Sequence, residues 1–495
     1  MTSKKSKVLK GIITDFLLMG SKTFKQIVFI PVILFYVGSQ NYGDYITIVA
    51  YSGLFSLFDI NFSLYFTREL SKKNNKIEKE QLVTTALILM VINVIITFLI
   101  GFILISILET LTNYILFSKY YFFFIILLII KMLNISIGFC AALLNSLFKM
   151  AFMNSVRAII IFIELAICLV MFRLDFGLKS LFYAEIIATS LIFIVLFIYS
   201  LRFFDIKINF PNYKIVKQAI DYSFSHYLMK ISKLGLSNLD SIVIHYFLGA
   251  NLVTLYNISI KLPILISREI TGKISSNIFS TVSSLDLKDK TRTFKNLFSK
   301  LNYFIFRLGF ISAITLFFIN KNFVEIWIGG SINYNENLTP VFCFIVIVEI
   351  IYFFHETLLL AQDNISKLGK VSLIELFANI TLSLILVQFY GVVGVALASL
   401  LSKLIISFSY VIIRVKKIFR IDFPSVSFYK NIFYSIIATF TLFYFFEDSN
   451  RYLLLILGIL LPVTINLIAE DFKIFLRRKL TIKDKFKLIL FGETI

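Results

Sequence analysis

Residues 82–108 read LVTTALILMVINVIITFLIGFILISIL, 27 consecutive residues without a charged side chain. At about 1.5 Å of rise per residue such a helix is about 40 Å long, enough to cross the roughly 30 Å hydrocarbon core of a bilayer. The run is continuous rather than alternating, which fits a membrane helix and excludes a barrel strand, whose two faces would differ in polarity. Working outward, comparable runs occur at about 11–36, 43–66, 119–147, 154–172 and 181–201. After a polar stretch they resume near 221–248, 252–281, 299–319, 338–360, 371–389, 392–413, 429–446 and 452–472. The sequence therefore predicts an all-α integral membrane protein with about 14 transmembrane helices.

Composition agrees. The 495 residues are 58% hydrophobic and 16% charged, with a mean hydropathy of +0.88, whereas soluble domains carry about 25% charged residues. A net charge of +20 would point to nucleic acid in a soluble protein. Here, however, the alternate loops hold 34 Lys and Arg on one side and 5 on the other, the asymmetry that fixes orientation with basic loops inside. Both termini are expected to be cytoplasmic, in a multi-pass membrane protein with no nucleic-acid partner. The opening MTSKKSKVLK leads into an apolar run with polar groups and no small-residue cleavage site, so the first span is expected to be retained. Cys140, Cys168 and Cys343 are scattered in apolar runs and read as small core residues. The loops are too short for a catalytic domain, and His226, His245 and His355 lie apart without a dyad or metal spacing. No catalytic residue, metal or cofactor is expected; the protein reads as a non-enzyme whose function lies between its helices.

The segments LFYVGSQNYGDYITI (34–48) and HYFLGANLVTLYNISI (245–260) echo one another at an offset of 211 residues, which aligns Gly38 with Gly249, Tyr45 with Tyr256 and Lys22 with Lys233. Two halves with an even number of spans repeat in the same membrane orientation. The expected organisation is two six-helix lobes in parallel pseudo-repeat, 1–210 and 211–420, followed by two further helices and a basic amphipathic tail at 421–495 suited to anionic lipid.

The run VGSQNYGDYITIVAYSGLFSLFDINFSLYFTREL (37–70), then LDSIVIHYFLGANLVTLYNISIKL (239–262), IWIGG (326–330) and FYGVVGVALASLLSK (389–403) resemble the Wzx-type polysaccharide flippases. These belong with the multidrug exporters and lipid II flippases in one superfamily. The resemblance implies a two-lobed transporter that turns an undecaprenyl-pyrophosphate-linked oligosaccharide across the bacterial plasma (inner) membrane for O-antigen or another surface glycan. It implies lipid-linked oligosaccharide and membrane lipids as partners, with a polysaccharide polymerase and chain-length regulator as candidates.

Charges inside the spans bear on this independently, since each is costly in lipid. In span seven His226, Lys230, Lys233, Ser237 and Asp240 fall on one helical face. Spans one, seven and eight together hold Lys22, Lys25, Lys230, Lys233, Lys261, Arg268 and Lys273 against Asp15, Asp240 and Glu269. In spans three to six and nine to twelve the acids Glu164, Glu185, Glu349, Glu356 and Glu375 outnumber Lys131, Arg307 and Lys403. The segregation suggests a cationic cavity for a pyrophosphate, with Lys22, Lys25, Lys230, Lys233, Lys261 and Arg268 as ligands. Asp59 and Asp240 are candidates for coupling. The competing reading is that these charges pair as glue between helices. A multidrug exporter of the same fold, or a membrane polymerase or acyltransferase, are the alternative functions.

Overall fold

A computed structural model describes residues 2–72, 75–112, 115–204, 211–272, 292–330, 332–361, 365–419, 423–424, 426–444 and 458. Every element among the described residues is helical. The apolar runs become α1 (Thr2–Val37), α4 (Lys76–Thr112), α5 (Ile115–Ser146), α6 (Met150–Arg173), α7 (Lys179–Leu201) and α8 (Tyr213–Leu248), with α2 (Ser39–Ser52) and α3 (Ser63–Lys72) between the first two. There follow α9 (Ala250–Ser259), α10 (Lys261–Ile264), α11 (Arg292–Trp327), α12 (Leu338–Leu360), α13 (Ile365–Ser402), α14 (Ser409–Phe419) and α15 (Val426–Tyr444). Among the described residues eight helical stretches are long and apolar enough to cross a bilayer, or nine if α9 and the α10 segment, bent by 41°, count as one broken span. The expected span at 452–472, apart from Gly458, the basic tail and Lys273 lie outside the described residues.

One of the eight stretches, Ser366–Phe419, has 54 residues and would be about 80 Å long if straight, more than twice the hydrocarbon thickness. It is a hairpin. Gly391 takes φ 55° and ψ −133°, a left-handed conformation that glycine accepts without a Cβ clash. A Cβ on Gly394 would lie 2.1 Å from the Leu386 carbonyl oxygen, although eight residues of straight helix separate atoms by about 12 Å. Asn379 Nδ2 donates to Ser399 Oγ at 3.0 Å across the two arms. The arms match the separate spans expected at 371–389 and 392–413.

By packing, the chain forms two compact units. The first comprises residues 1–254 with 368–376, and the second 255–367 with 377–495. The first unit thus extends past residue 210 to include α8. Within it, α1 packs on α6, and α5 on α4 and α7. Its core holds Leu143, Leu144, Cys140 and Leu196 in one cluster and Ile48, Leu128, Phe124 and Phe182 in another. In the second unit α11 packs on α12 and α12 on α14. The three cysteines are buried and free.

The two glycines aligned by the 211-residue offset share a backbone conformation. Gly38, between α1 and α2, has φ 80° and ψ 165°; Gly249, between α8 and α9, has φ 88° and ψ 171°. Each glycine N–H bonds back four residues, to Leu34 O at 3.0 Å and His245 O at 3.1 Å. Both corners lie in the first unit and meet reciprocally. Thr254 Oγ1 donates to Ser39 O at 2.6 Å, and a Cβ on Gly43 would come within 1.9 Å of Ala250 O. Ala250 and Thr254 are Ser39 and Gly43 shifted by the repeat offset, so each corner offers its first residue to the other's fifth.

Candidate functional site

Span two, expected as one helix over 43–66, is broken, and the break builds a site in the first unit. α2 ends at Ser52, Gly53–Phe58 make a 3-10 turn, and Asp59 is extended (φ −86°, ψ 99°) before α3 begins. Carbonyls freed by such a break need donors, because lipid supplies none. The Tyr227 hydroxyl donates to Leu57 O, Lys230 Nζ to Asp59 O at 2.9 Å, and Asn93 Nδ2 to Ile60 O at 3.2 Å. Lys230 also meets Asp59 Oδ2 at 2.5 Å, and Asn93 Nδ2 lies 3.0 Å from Asp59 Oδ1. The α8 helix approaches this closely because Gly53 has no side chain; a Cβ there would lie 2.5 Å from Asn238 Nδ2. The expected anion ligand Lys230 and the coupling candidate Asp59 are therefore each other's partners.

Lys25 on α1 pairs with Glu164 on α6 at 2.5 Å. Lys22, one turn earlier, is exposed and makes no ion pair among the described residues. Lys233 is exposed on α8 and Asp240 is buried.

In the second unit Lys261 opens α10 just past the bend, and no ion pair involves it among the described residues. Arg268 lies in a π-helical turn, Leu265–Ile270, and Lys403 begins another, Lys403–Phe408. Such turns often mark functional positions. Both reach Glu349 Oε1, Lys403 at 2.7 Å and Arg268 at 4.0 Å. Lys403 also sits over the Tyr352 ring at 4.7 Å, and Tyr352 donates to Glu356 at 3.1 Å. Lys403 is thus the close counter-ion of Glu349, while Arg268 is nearly half exposed, at 47%, and loosely held.

These pairs correct the strict segregation of signs expected from sequence. Glu164 and Glu349, assigned to the acidic set, neutralise Lys25 and engage Arg268, so part of the cationic excess is consumed between helices. Lys22 and Lys261 keep no carboxylate among the described residues.

Sequence reading missed one further constellation in the first unit. Asp44 on α2 is 2.8 Å from His245 Nε2 on α8, accepts the Tyr120 hydroxyl at 2.8 Å and has Lys119 Nζ at 3.8 Å. The nearest sequence signal was the repeat offset, which placed the two glycine corners in register but named neither Asp44 nor His245 as a pair.

Taken together, the helical units, the reciprocal glycine corners, the broken span and the in-span charges describe a polytopic helical membrane protein. The same fold occurs in the structure of the lipid II flippase MurJ in an inward closed conformation, with a TM-score of 0.74 and 15% identity over 94% of this chain and 100% of that one. A transporter of the MOP superfamily from Pyrococcus furiosus, described as having a binding pocket of reversed polarity, matches with a TM-score of 0.55 and 13% identity over 84% of this chain and 96% of that one. The probable flippase AglR of Haloferax volcanii is 27% identical over 233 residues, covering 46% of this chain and 47% of AglR, so the match spans about half of either protein. The polysaccharide biosynthesis protein family model matches residues 37–336. The chain belongs to that family.

Proposed function

We propose that the protein is a flippase that turns a lipid-linked saccharide across the plasma membrane by alternating access between lobes 1–210 and 211–420, moving its cargo without altering it chemically. In the fuller form of this reading the carrier is undecaprenyl pyrophosphate, the membrane is the bacterial inner membrane with both termini cytoplasmic, and the glycan is O-antigen or another surface polysaccharide. Family membership and the transporter fold support it, and one observation carries it to a substrate: cations in the spans that carboxylates leave available. Lys22 and Lys261 have no ion pair among the described residues, and Arg268 stands 4.0 Å from a glutamate that Lys403 already holds at 2.7 Å. Such charges are tolerated in a membrane when water or an anion meets them. A diphosphate head suits them, since Arg offers a fork of donors and Lys a point charge.

The six proposed ligands then divide by role. Lys22, Lys261 and Arg268, with the exposed Lys233, meet the pyrophosphate first. Lys25 and Lys230 join when the diphosphate competes with Glu164 and Asp59 for them. A released Asp59, or Asp240, would take the coupling proton. The test is reconstitution into liposomes with undecaprenyl-pyrophosphate-linked saccharide. Gln at Lys22, Lys261 or Arg268 should lower translocation about tenfold each, the loss expected of one charge-assisted hydrogen bond at about 1.5 kcal/mol. Unchanged rates in all single and paired variants would make the cluster structural and remove the pyrophosphate assignment.

A further inference from the structure

Beside the break in span two, the first unit contains a cavity of about 100 Å³. At about 30 Å³ per water molecule it has room for about three waters, or for one edge of a sugar ring. Asn61, Ser63, Asn93 and Asn134 lie on its wall, and Phe62 and Phe139 supply apolar faces. Asn61 and Asn134 are exposed, whereas Asn93 is buried, and a buried carboxamide in a membrane-embedded bundle is expensive unless it meets polar partners.

Their hydrogen bonds show what they still offer. Asn93 is 6% exposed and spends its Nδ2 on Asp59 and Ile60 O, which leaves its Oδ1 without a partner among the described residues. Asn61 Oδ1 accepts from the Ser63 N–H at 3.1 Å, and Ser63 Oγ donates to Gly138 O at 3.0 Å. The Asn61 amide N–H donors and both ends of the Asn134 carboxamide are uncommitted among the described residues. The cavity thus presents both donors and acceptors, which a hydroxyl, itself donor and acceptor, can satisfy.

Charge decides against an ionic occupant. Both Asp59 carboxylate oxygens are occupied by nitrogen donors, and one of those is the Lys230 ammonium at 2.5 Å. A metal cation would face that ammonium and find no free carboxylate oxygen. An anion would find carboxamides instead of spare cations.

We infer that this cavity is a subsite for an uncharged saccharide edge, such as a vicinal diol, and reads the first sugar of the cargo beside the carrier's pyrophosphate. The subsite deepens the flippase reading and rests on it for the source of the sugar, while its binding chemistry is measurable separately.

The experiment uses the full chain in lipid nanodiscs with saturation-transfer NMR. The probes are the methyl glycosides of glucose, galactose and N-acetylglucosamine, with sodium chloride and inorganic pyrophosphate titrated alongside. At least one glycoside should bind, and Asn134→Leu should weaken it by about tenfold while leaving pyrophosphate binding unchanged. Asn61→Ser, which removes an exposed carboxamide but keeps a side-chain oxygen beside the Ser63 N–H, should act in the same direction and serves if Asn134→Leu fails to insert. Glycoside signals equal in wild type and a folded variant, absence of any glycoside signal, or displacement of the glycoside by sodium would each overturn the subsite. Glycoside binding without pyrophosphate binding would leave the subsite standing and remove the pyrophosphate assignment.

Discussion

Lys230 donates to a main-chain and a carboxylate oxygen of the same residue, Asp59, so its loss strips a backbone break of a donor and a carboxylate of its counter-ion. Each deprived acceptor costs about 1–3 kcal/mol. Lys230→Met should therefore lower the thermal unfolding midpoint clearly. Adding Asp59→Asn should recover part of the loss, with a coupling of about 1 kcal/mol or more in a double-mutant cycle; independent effects would show that the pair does not hold the break. Glu349 supports a different argument, because Lys403 and Arg268 compete for one oxygen at 2.7 and 4.0 Å. Lys403→Gln leaves Arg268 as the counter-ion of Glu349 and draws it from any ligand. Inorganic pyrophosphate binding should then weaken severalfold although Lys403 is not a proposed ligand. A Lys403→Gln variant that binds pyrophosphate as tightly as wild type would mean that Arg268 is not the arm in play.

Two elements meet at the repeat-related corners, and their packing relies on an absent side chain. With a Cβ at Gly43 only 1.9 Å from Ala250 O, Gly43→Val forces the α2 start away from the α9 start. Ser39 Oγ and Asn251 Oδ1, 2.9 Å apart, allow the opposite manipulation. Oxidised Ser39→Cys/Asn251→Cys should lock the corner contact and stop transport, with activity returning on reduction; the native cysteines are buried and should not interfere. Transport that continues with the disulfide formed would show that this seam stays shut throughout the cycle. The corners were legible in sequence because a positive φ demands glycine and the offset of 211 aligned Gly38 with Gly249. The break at Asp59 was not, since the run 43–66 is apolar enough to pass as one helix, and only donors from α4 and α8 make its interruption tolerable. Asp44 and His245, 201 residues apart, were illegible for the same reason: no local pattern encodes a contact made between helices.

For the whole molecule, the sequence specifies how many apolar stretches seek lipid, but not which charges survive assembly. Lys25 and Glu164 lie 139 residues apart, and a count of charges per span cannot anticipate that they cancel. Hydropathy records a transfer free energy of each segment, whereas pairing belongs to the packed bundle, which explains why the helices were read well and the ion pairs between them were not. Sidedness can be tested apart from the site, and it decides which way the proposed cargo turns. The loop after α6 is flanked by only Arg173 and Lys179, and the stretch after α7 runs through Arg202, Lys207, Lys214 and Lys217. If basic loops stay inside, Leu174 faces out and Arg202 faces in, and both are exposed. In intact cells Leu174→Cys should react with a membrane-impermeant maleimide and Arg202→Cys should react only after permeabilisation. Reversed labelling would invert the orientation of α6 and α7, place both termini outside, and require the lipid-linked saccharide to be loaded from the opposite face.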